Sequence, residues 1–230
     1  MKLLKPDLRL NCFSPPVMIA TFVVEIALAV YTFWRYKLDR VTRVVMLIFV
    51  LLAVFQLAEF NVCAAGWINP AVAARLGFCA ITMLPPLGLH LIYAVSRARI
   101  RPLVWLAHLS GLTFIAWFLS DGSSFSSYLC TGNYAIFQLS PVLGDVYGYY
   151  YFGWLGVAIW LSWRFARGEV RKAMLGILAG YLAFMVPTGV VITLFPDSGG
   201  GIPSMMCGFA VLFALIVGLW VLPHSRATKR

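Results

Sequence analysis

Residues 43–63 read RVVMLIFVLLAVFQLAEFNVC, and this stretch decides the class of fold. Its apolar run reaches the length of about 20 residues that an α-helix needs to cross the hydrocarbon core of a bilayer. Six further stretches share this length and character. The sequence therefore predicts an all-α, polytopic membrane protein with seven transmembrane helices in a single domain, residues 1–230. The predicted spans are residues 16–34, 43–63, 72–95, 102–120, 145–163, 173–195 and 204–222.

The composition of the whole chain supports a membrane location. Of its 230 residues, 62% are hydrophobic and 11% are charged, whereas soluble domains carry about 25% charged residues. This composition excludes a soluble enzyme, a nucleic-acid-binding module and a disordered scaffold. The net charge of +10 must therefore be interpreted through its placement along the chain.

The basic residues collect on alternate connections. Residues 35–43, 96–101, 164–172 and the segment after 223 hold 14 basic and two acidic residues, whereas the other connections hold four of each. This asymmetry predicts an external N-terminus and a cytoplasmic C-terminus in the cell (inner or plasma) membrane. The short basic loops are expected to contact anionic lipid and are a candidate surface for a protein partner.

Polar side chains inside the spans are the first candidates for function, because burying them in the membrane is costly. Glu25 lies near the middle of the first span and is expected to face the bundle interior, either neutral or paired. A structural hydrogen bond between helices is the alternative. A polar cavity for a small ligand is predicted near the outer ends of spans 2 and 5. Its candidate residues are Gln56, Glu59, Asn61, Asp145, Tyr147 and Tyr149.

Two histidines are predicted to lie at one depth on neighbouring antiparallel helices. His90 is about six residues from the inner end of span 3, and His108 is about seven residues into span 4. Such a pair could ligate a haem axially; the alternative is a hydrogen bond to a neighbour such as Tyr93. No other cofactor and no metal site is predicted.

Prolines and cysteines add two further expectations. Pro85, Pro86 and Pro187 lie within spans and predict kinks, which serve either as hinges or as static bends. Cys12, Cys63 and Cys130 lie near the outer ends of spans or in the loop 121–144. One disulfide among these three is a candidate in an oxidising compartment, and the pairing is left open. The turn-rich loop itself is expected to pack as a lid over the outer mouth.

Two motifs carry a resemblance to a known family. They are FQLAEF at residues 55–60, followed by Trp67, and ITMLPPLGLHLIYA at residues 81–94. Together they resemble the seven-helix sensor region at the N-terminus of bacterial histidine kinases. The resemblance implies perception of a signal and its relay to a cytoplasmic output, with Glu59 and the pair Pro85–Pro86 at family positions. Kinase domains are absent from this sequence, and residues 121–144 lack a histidine.

The leading hypothesis is a stand-alone sensor or receptor-like protein that binds a small ligand from outside and relays to a cytoplasmic or membrane partner. The alternatives are a non-catalytic accessory subunit of a larger membrane complex and a small transporter or channel. An enzyme is not expected, because no Ser/His or Asp/Asp pair stands at helical spacing.

Overall fold

The computed structural model describes residues 14–120, 124–130 and 135–225, and it confirms the all-α class, with 85% helix. Short 3-10 turns precede the last two long helices at Gly168–Val170 and Pro196–Gly201. The helices are α1 (Pro15–Arg35), α2 (Arg40–Phe60), α3 (Pro70–Thr82), α4 (Leu84–Ser96), α5 (Arg101–Ser120), α6 (Pro141–Arg164), α7 (Arg171–Leu194) and α8 (Ile202–Ile216), and the strands are β1 (Phe125–Cys130) and β2 (Ala135–Leu139).

Local sequence signals explain where several helices begin. Proline occupies the first position of α1, α3 and α6, where a missing backbone N–H costs nothing. Asp39 accepts a hydrogen bond from the backbone N–H of Thr42 at 2.9 Å and so caps α2. Asn69 caps α3 in the same way through the N–H of Ala71, at 2.8 Å.

Six helical segments in the described ranges are long and apolar enough to cross a membrane. They correspond to the predicted spans 1 to 4, 6 and 7. Helix α6, the predicted span 5, has the length at 24 residues but is not among the six. The exposed residues Trp105, Leu106 and Leu109 on α5, each more than half exposed, form a face suited to lipid. These findings support a membrane protein.

The third predicted span is two helices rather than one. Helix α3 ends at Thr82, Met83 lies in a turn, and α4 begins at Leu84 immediately before Pro85 and Pro86. Since Pro85 and Pro86 lack backbone donors, the α-helical ladder cannot continue through them. Helix α7, by contrast, continues through Pro187 without a break.

Two π-helical turns extend helices beyond their α-helical parts. Asn61–Ala65 follows α2, and Val217–Val221 follows α8 and leads into a last turn, Leu222–His224. Helices α7 and α8 pack closely, since a Cβ atom on Gly180 would lie 2.7 Å from the Phe213 ring. Helix α1 packs against α2 and α8, so its buried face looks into the bundle.

The connection between α5 and α6 contains an antiparallel hairpin of β1 and β2. The sequence predicted a turn-rich lid here and did not predict strands. A disulfide joins Cys63, in the π-helical turn after α2, to Cys130 at the end of β1. Of the three candidate cysteines, Cys12 lies outside the described residues. The bond ties the hairpin to the end of α2.

Candidate ligand cavity

An aromatic cluster beneath the hairpin joins the two strands to three helices. Phe78 of α3 lies at its centre, with ring centroids 5.1 Å from Phe125 of β1 and 5.9 Å from Phe137 of β2. The Phe78 ring also lies 5.6 Å from Phe118 of α5 and 5.6 Å from Tyr147 of α6. These separations are typical of aromatic packing. The hairpin is therefore held against this end of the bundle by side chains as well as by the disulfide.

Beside this cluster the structure contains a cavity of about 300 Å³, here called the hairpin cavity. This volume is at the lower end of the range for small-molecule sites. Strand β2 and the turn Pro196–Gly201 contribute to its rim, and α3, α6 and α8 form its walls. Among the described residues, no charged side chain lines it. Side chains that define it are Phe78, Phe137, Tyr147, Tyr151, Met206 and Cys207.

Two glycines on α6 help to make this space. Gly144 and Gly148 are four residues apart, so they lie on one face of the helix, and both line the hairpin cavity. A Cβ atom on Gly148 would meet no other atom within 4 Å, and one on Gly144 would lie 3.7 Å from Leu139 Cβ. The cavity therefore extends to this face of α6 because Gly144 and Gly148 have no side chains to fill it.

Of the six residues predicted to form a ligand site, the structure places Tyr147 in the wall of the hairpin cavity. Asp145 is exposed and Tyr149 is 82% exposed, so both point away from it. The reason is helical geometry, because residues two positions apart are rotated by about 200° around the helix axis. Tyr147 therefore cannot share one face with both of these neighbours.

The three predicted residues at the end of α2 have separate surroundings. Asn61 donates a hydrogen bond to the Ile68 carbonyl at 2.9 Å and accepts one from the Ile68 N–H at 3.0 Å. This pair of bonds closes the turn between α2 and α3, which gives Asn61 a structural role. Gln56 and Glu59 are buried, at 2% and 1% exposed, and neither lines the hairpin cavity.

Glu25 is fully buried and faces the bundle interior, as the sequence predicted. It lies within electrostatic range of Glu59, and both carboxyl groups lie within such range of Cys207 on α8. In the described part of the chain, neither oxygen of Glu25 has a hydrogen-bond partner. Cys207 also lines the hairpin cavity.

The break before the double proline is held by a tyrosine of α6. Because Pro86 has no N–H, the Thr82 carbonyl lacks its usual helical donor, and the Tyr150 hydroxyl donates to it at 2.7 Å. The Thr82 hydroxyl donates to the Phe78 carbonyl at 2.6 Å and lies 3.1 Å from the Tyr147 hydroxyl. Helix α6 therefore satisfies the backbone of the α3–α4 break and lines the cavity with the same turn.

His90 and His108 lie together, as predicted, with ring centroids 5.6 Å apart. His108 Nδ1 donates to the Val104 carbonyl at 2.8 Å, and the His90 ring lies 6.2 Å from that of Tyr93. The ranges that the structure describes hold no group of three or more His, Cys, Asp or Glu side chains suited to a metal. Haem ligation by this pair stays a prediction.

Several residues of the hairpin cavity were not among the predicted site residues. The aromatic side chains Phe78, Phe137 and Tyr151 have no polar signature that separates them from core residues in the sequence. Gly144 and Gly148 do leave a signal, since two glycines four residues apart leave one face of a helix without side chains. Cys207, which also lines the cavity, was not among the predicted site residues.

Neither the protein-family models nor the curated proteins searched gave a match to this chain.

Proposed function

We propose that this chain is a seven-helix membrane receptor that binds a small, mainly apolar molecule with an aromatic ring in the hairpin cavity. The carrying observation is the cavity itself, of about 300 Å³, with an uncharged, aromatic lining beneath a covalently anchored hairpin. An aromatic ligand fits these walls, because offset and edge-to-face ring contacts add to the burial of apolar surface. Gln138 at the rim offers an amide for a polar substituent.

The proposal includes seven crossings, with α6 as the fifth, an external N-terminus and a cytoplasmic C-terminus in the cell membrane. The charge asymmetry of the connections supports this orientation. It puts the hairpin and its cavity on the outer side, where a ligand arrives without crossing the bilayer. The basic loops then lie on the cytoplasmic side, where they are available to a protein partner.

A path for the signal runs from the cavity to the α3–α4 break. A second, water-sized cavity of about 30 Å³ shares Tyr151, Met206 and Cys207 with the hairpin cavity and is also lined by Leu84 and Tyr181. Leu84 begins α4. A bound ligand favours one position of these side chains, and this position in turn favours one of two arrangements of α4. The ligand can shift the equilibrium between the two arrangements only by the difference in its affinity for each of them.

The proposal is tested with a substitution that fills the hairpin cavity and leaves the fold unchanged. We expect Gly148→Leu to fill the hairpin cavity, because a Cβ atom there meets open space. The protein in nanodiscs is heated with indole, phenol or benzyl alcohol at several concentrations, and the midpoint of thermal unfolding is recorded. At a ligand concentration 100 times the Kd, the stabilisation is about 2.7 kcal/mol, and Gly148→Leu should abolish it.

Gly156→Leu is the matched control. It lies on the same helix, also faces open space and does not line the cavity. We expect it to retain the full ligand-dependent shift. If none of the three probes raises the unfolding midpoint of the unsubstituted protein, or if both variants lose the shift equally, the cavity is not the binding site for such ligands.

A further inference from the structure

The end of the bundle remote from the hairpin carries two adjoining cavities with arginines at their rims. One, of about 360 Å³, is lined by Arg40, His90, Tyr93, Arg101, Val104, Trp105 and His108. The other, of about 390 Å³, is lined by Asp39, Arg40, Val41, Tyr93, Ala94 and Arg97. Arg40 and Tyr93 belong to both. We call the two together the arginine groove.

Three helices bring the basic groups together. Arg40 begins α2 and Arg101 begins α5, whereas Arg97 caps the end of α4 in a left-handed conformation, with φ 55°. The N-termini of α2 and α5 add the positive ends of two helix dipoles to the same rim, and the C-terminus of α4 adds one negative end. The guanidinium of Arg40 lies 5.6 Å from the centre of the Tyr93 ring, which fixes it between the two cavities.

The positive charge of the arginine groove exceeds its negative charge. In the described residues, no ion pair is formed by Arg40, Arg97 or Arg101, and all three are exposed. Asp39 is the acidic group of the groove, and one of its oxygens accepts the N–H of Thr42. His90 and His108 face the same cavity as Arg101. The groove therefore presents an excess of positive charge with donors that suit a phosphate.

An apolar surface continues from the groove along α5. Trp105 at its edge is 58% exposed, and the next residues on this face, Leu106, Leu109 and Leu112, are between 52% and 57% exposed. Tryptophan at this position is typical of the level of the lipid headgroups. A molecule with a phosphate in the groove would place attached acyl chains on these leucines.

We propose that the arginine groove binds the headgroup of an anionic glycerophospholipid, with its acyl chains against the exposed face of α5. The site differs from the ligand cavity in position, charge and expected occupant. Basic pockets between transmembrane helices at the cytoplasmic side are known to suit anionic lipid headgroups. The continuity of groove and apolar face distinguishes a lipid from a soluble phosphate.

The test compares dioleoyl phosphatidylglycerol with dioleoyl phosphatidylcholine, added to the full chain in detergent. Bound lipids are counted by native mass spectrometry, and the thermal unfolding midpoint is measured in parallel. We expect phosphatidylglycerol to be preferred. The double variant Arg40→Gln with Arg101→Gln should bind it roughly 20- to 30-fold more weakly, from the contribution of two basic residues at the headgroup level.

Arg164→Gln with Arg167→Gln is the control, since both arginines are exposed on another basic connection. This control variant also removes two positive charges, and it should still prefer phosphatidylglycerol to phosphatidylcholine. Arg97→Gln with Arg101→Gln is a second test variant if the first does not fold. The proposal would be overturned if the control and test variants lost equal affinity for phosphatidylglycerol. It would also be overturned if the test variants lost no affinity for this lipid. Displacement of the lipid by sn-glycerol 3-phosphate at equal concentration would instead show a site for soluble phosphates.

Discussion

Glu25 is a carboxyl side chain in an energetically costly position. It is fully buried in α1, and within the described ranges both of its oxygens lack a hydrogen bond. Glu59 lies within electrostatic range and is buried as well. A buried polar group without a partner costs about 1–3 kcal/mol relative to a satisfied one. The position of Glu25 is therefore expected to lower the free energy of unfolding.

We therefore expect Glu25→Leu to stabilise the protein. The apolar side chain removes the unsatisfied carboxyl group and should raise the free energy of unfolding by about 1–3 kcal/mol. The measurement is thermal unfolding in detergent, with Glu25→Gln as the comparison, because its amide keeps the unsatisfied polar atoms and should gain less. A loss of stability in Glu25→Leu would show that the carboxyl group has a partner in the intact protein.

At the scale of elements, the α3–α4 break and α6 form one unit. The double proline interrupts the backbone ladder after Thr82, and the Tyr150 hydroxyl supplies the missing donor. Membrane helices tolerate such interruptions where a neighbouring helix satisfies the freed groups. The position of α4 relative to α3 therefore depends on a side chain from a helix 68 residues away in sequence.

The corresponding prediction is that Tyr150→Phe destabilises the protein by about 1–3 kcal/mol, because the Thr82 carbonyl would be left buried without a donor. Thermal unfolding measures the effect. Tyr149→Phe is the matched control on the neighbouring residue, whose side chain is 82% exposed, and it should be close to neutral. Equal effects of the two substitutions would argue against the hydrogen bond as the support of the break.

At the scale of the whole molecule, the disulfide reports on orientation as well as on stability. If the hairpin lies outside, a membrane-impermeant phosphine reductant added to intact cells should reduce the bond between Cys63 and Cys130. Mass spectrometry after thiol alkylation detects the two new free cysteines. We expect the reduced protein to lose about 2–4 kcal/mol of stability, since the bond closes a loop of 67 residues.

The control uses the same reductant on permeabilised cells, which makes both membrane faces accessible. Reduction only after permeabilisation would place the hairpin on the cytoplasmic side and overturn the proposed topology. Reduction in intact cells together with retained binding of an aromatic probe would show that the covalent tie is not needed for the hairpin cavity.

The helices of this molecule follow from its sequence because hydropathy and length decide what enters a bilayer. The proximity of His90 and His108 follows because helix length fixes depth, and the burial of Glu25 follows because a carboxyl group is costly in contact with lipid. The hairpin cavity could not be predicted from the sequence. Its walls depend on the rotation of α6, which places Tyr147 inside and Asp145 outside, and rotation is set by packing against neighbouring helices. The pairing of β1 with β2 depends on anchors at Phe78 and Cys63, which are remote in sequence.

The bond between Cys63 and Cys130 also constrains the order of biosynthesis. Cys63 emerges from the ribosome with α2, whereas Cys130 follows α5, so α3, α4 and α5 lie between the two partners. The crosslink can therefore form only after α5 has been inserted and the hairpin has been delivered to the same side of the bilayer as Cys63. Until that moment Cys63 has no disulfide partner, and Phe78 is not covered by Phe125 and Phe137 of the hairpin. Oxidation of this one pair thus marks the point at which the hairpin becomes covalently attached to the end of α2.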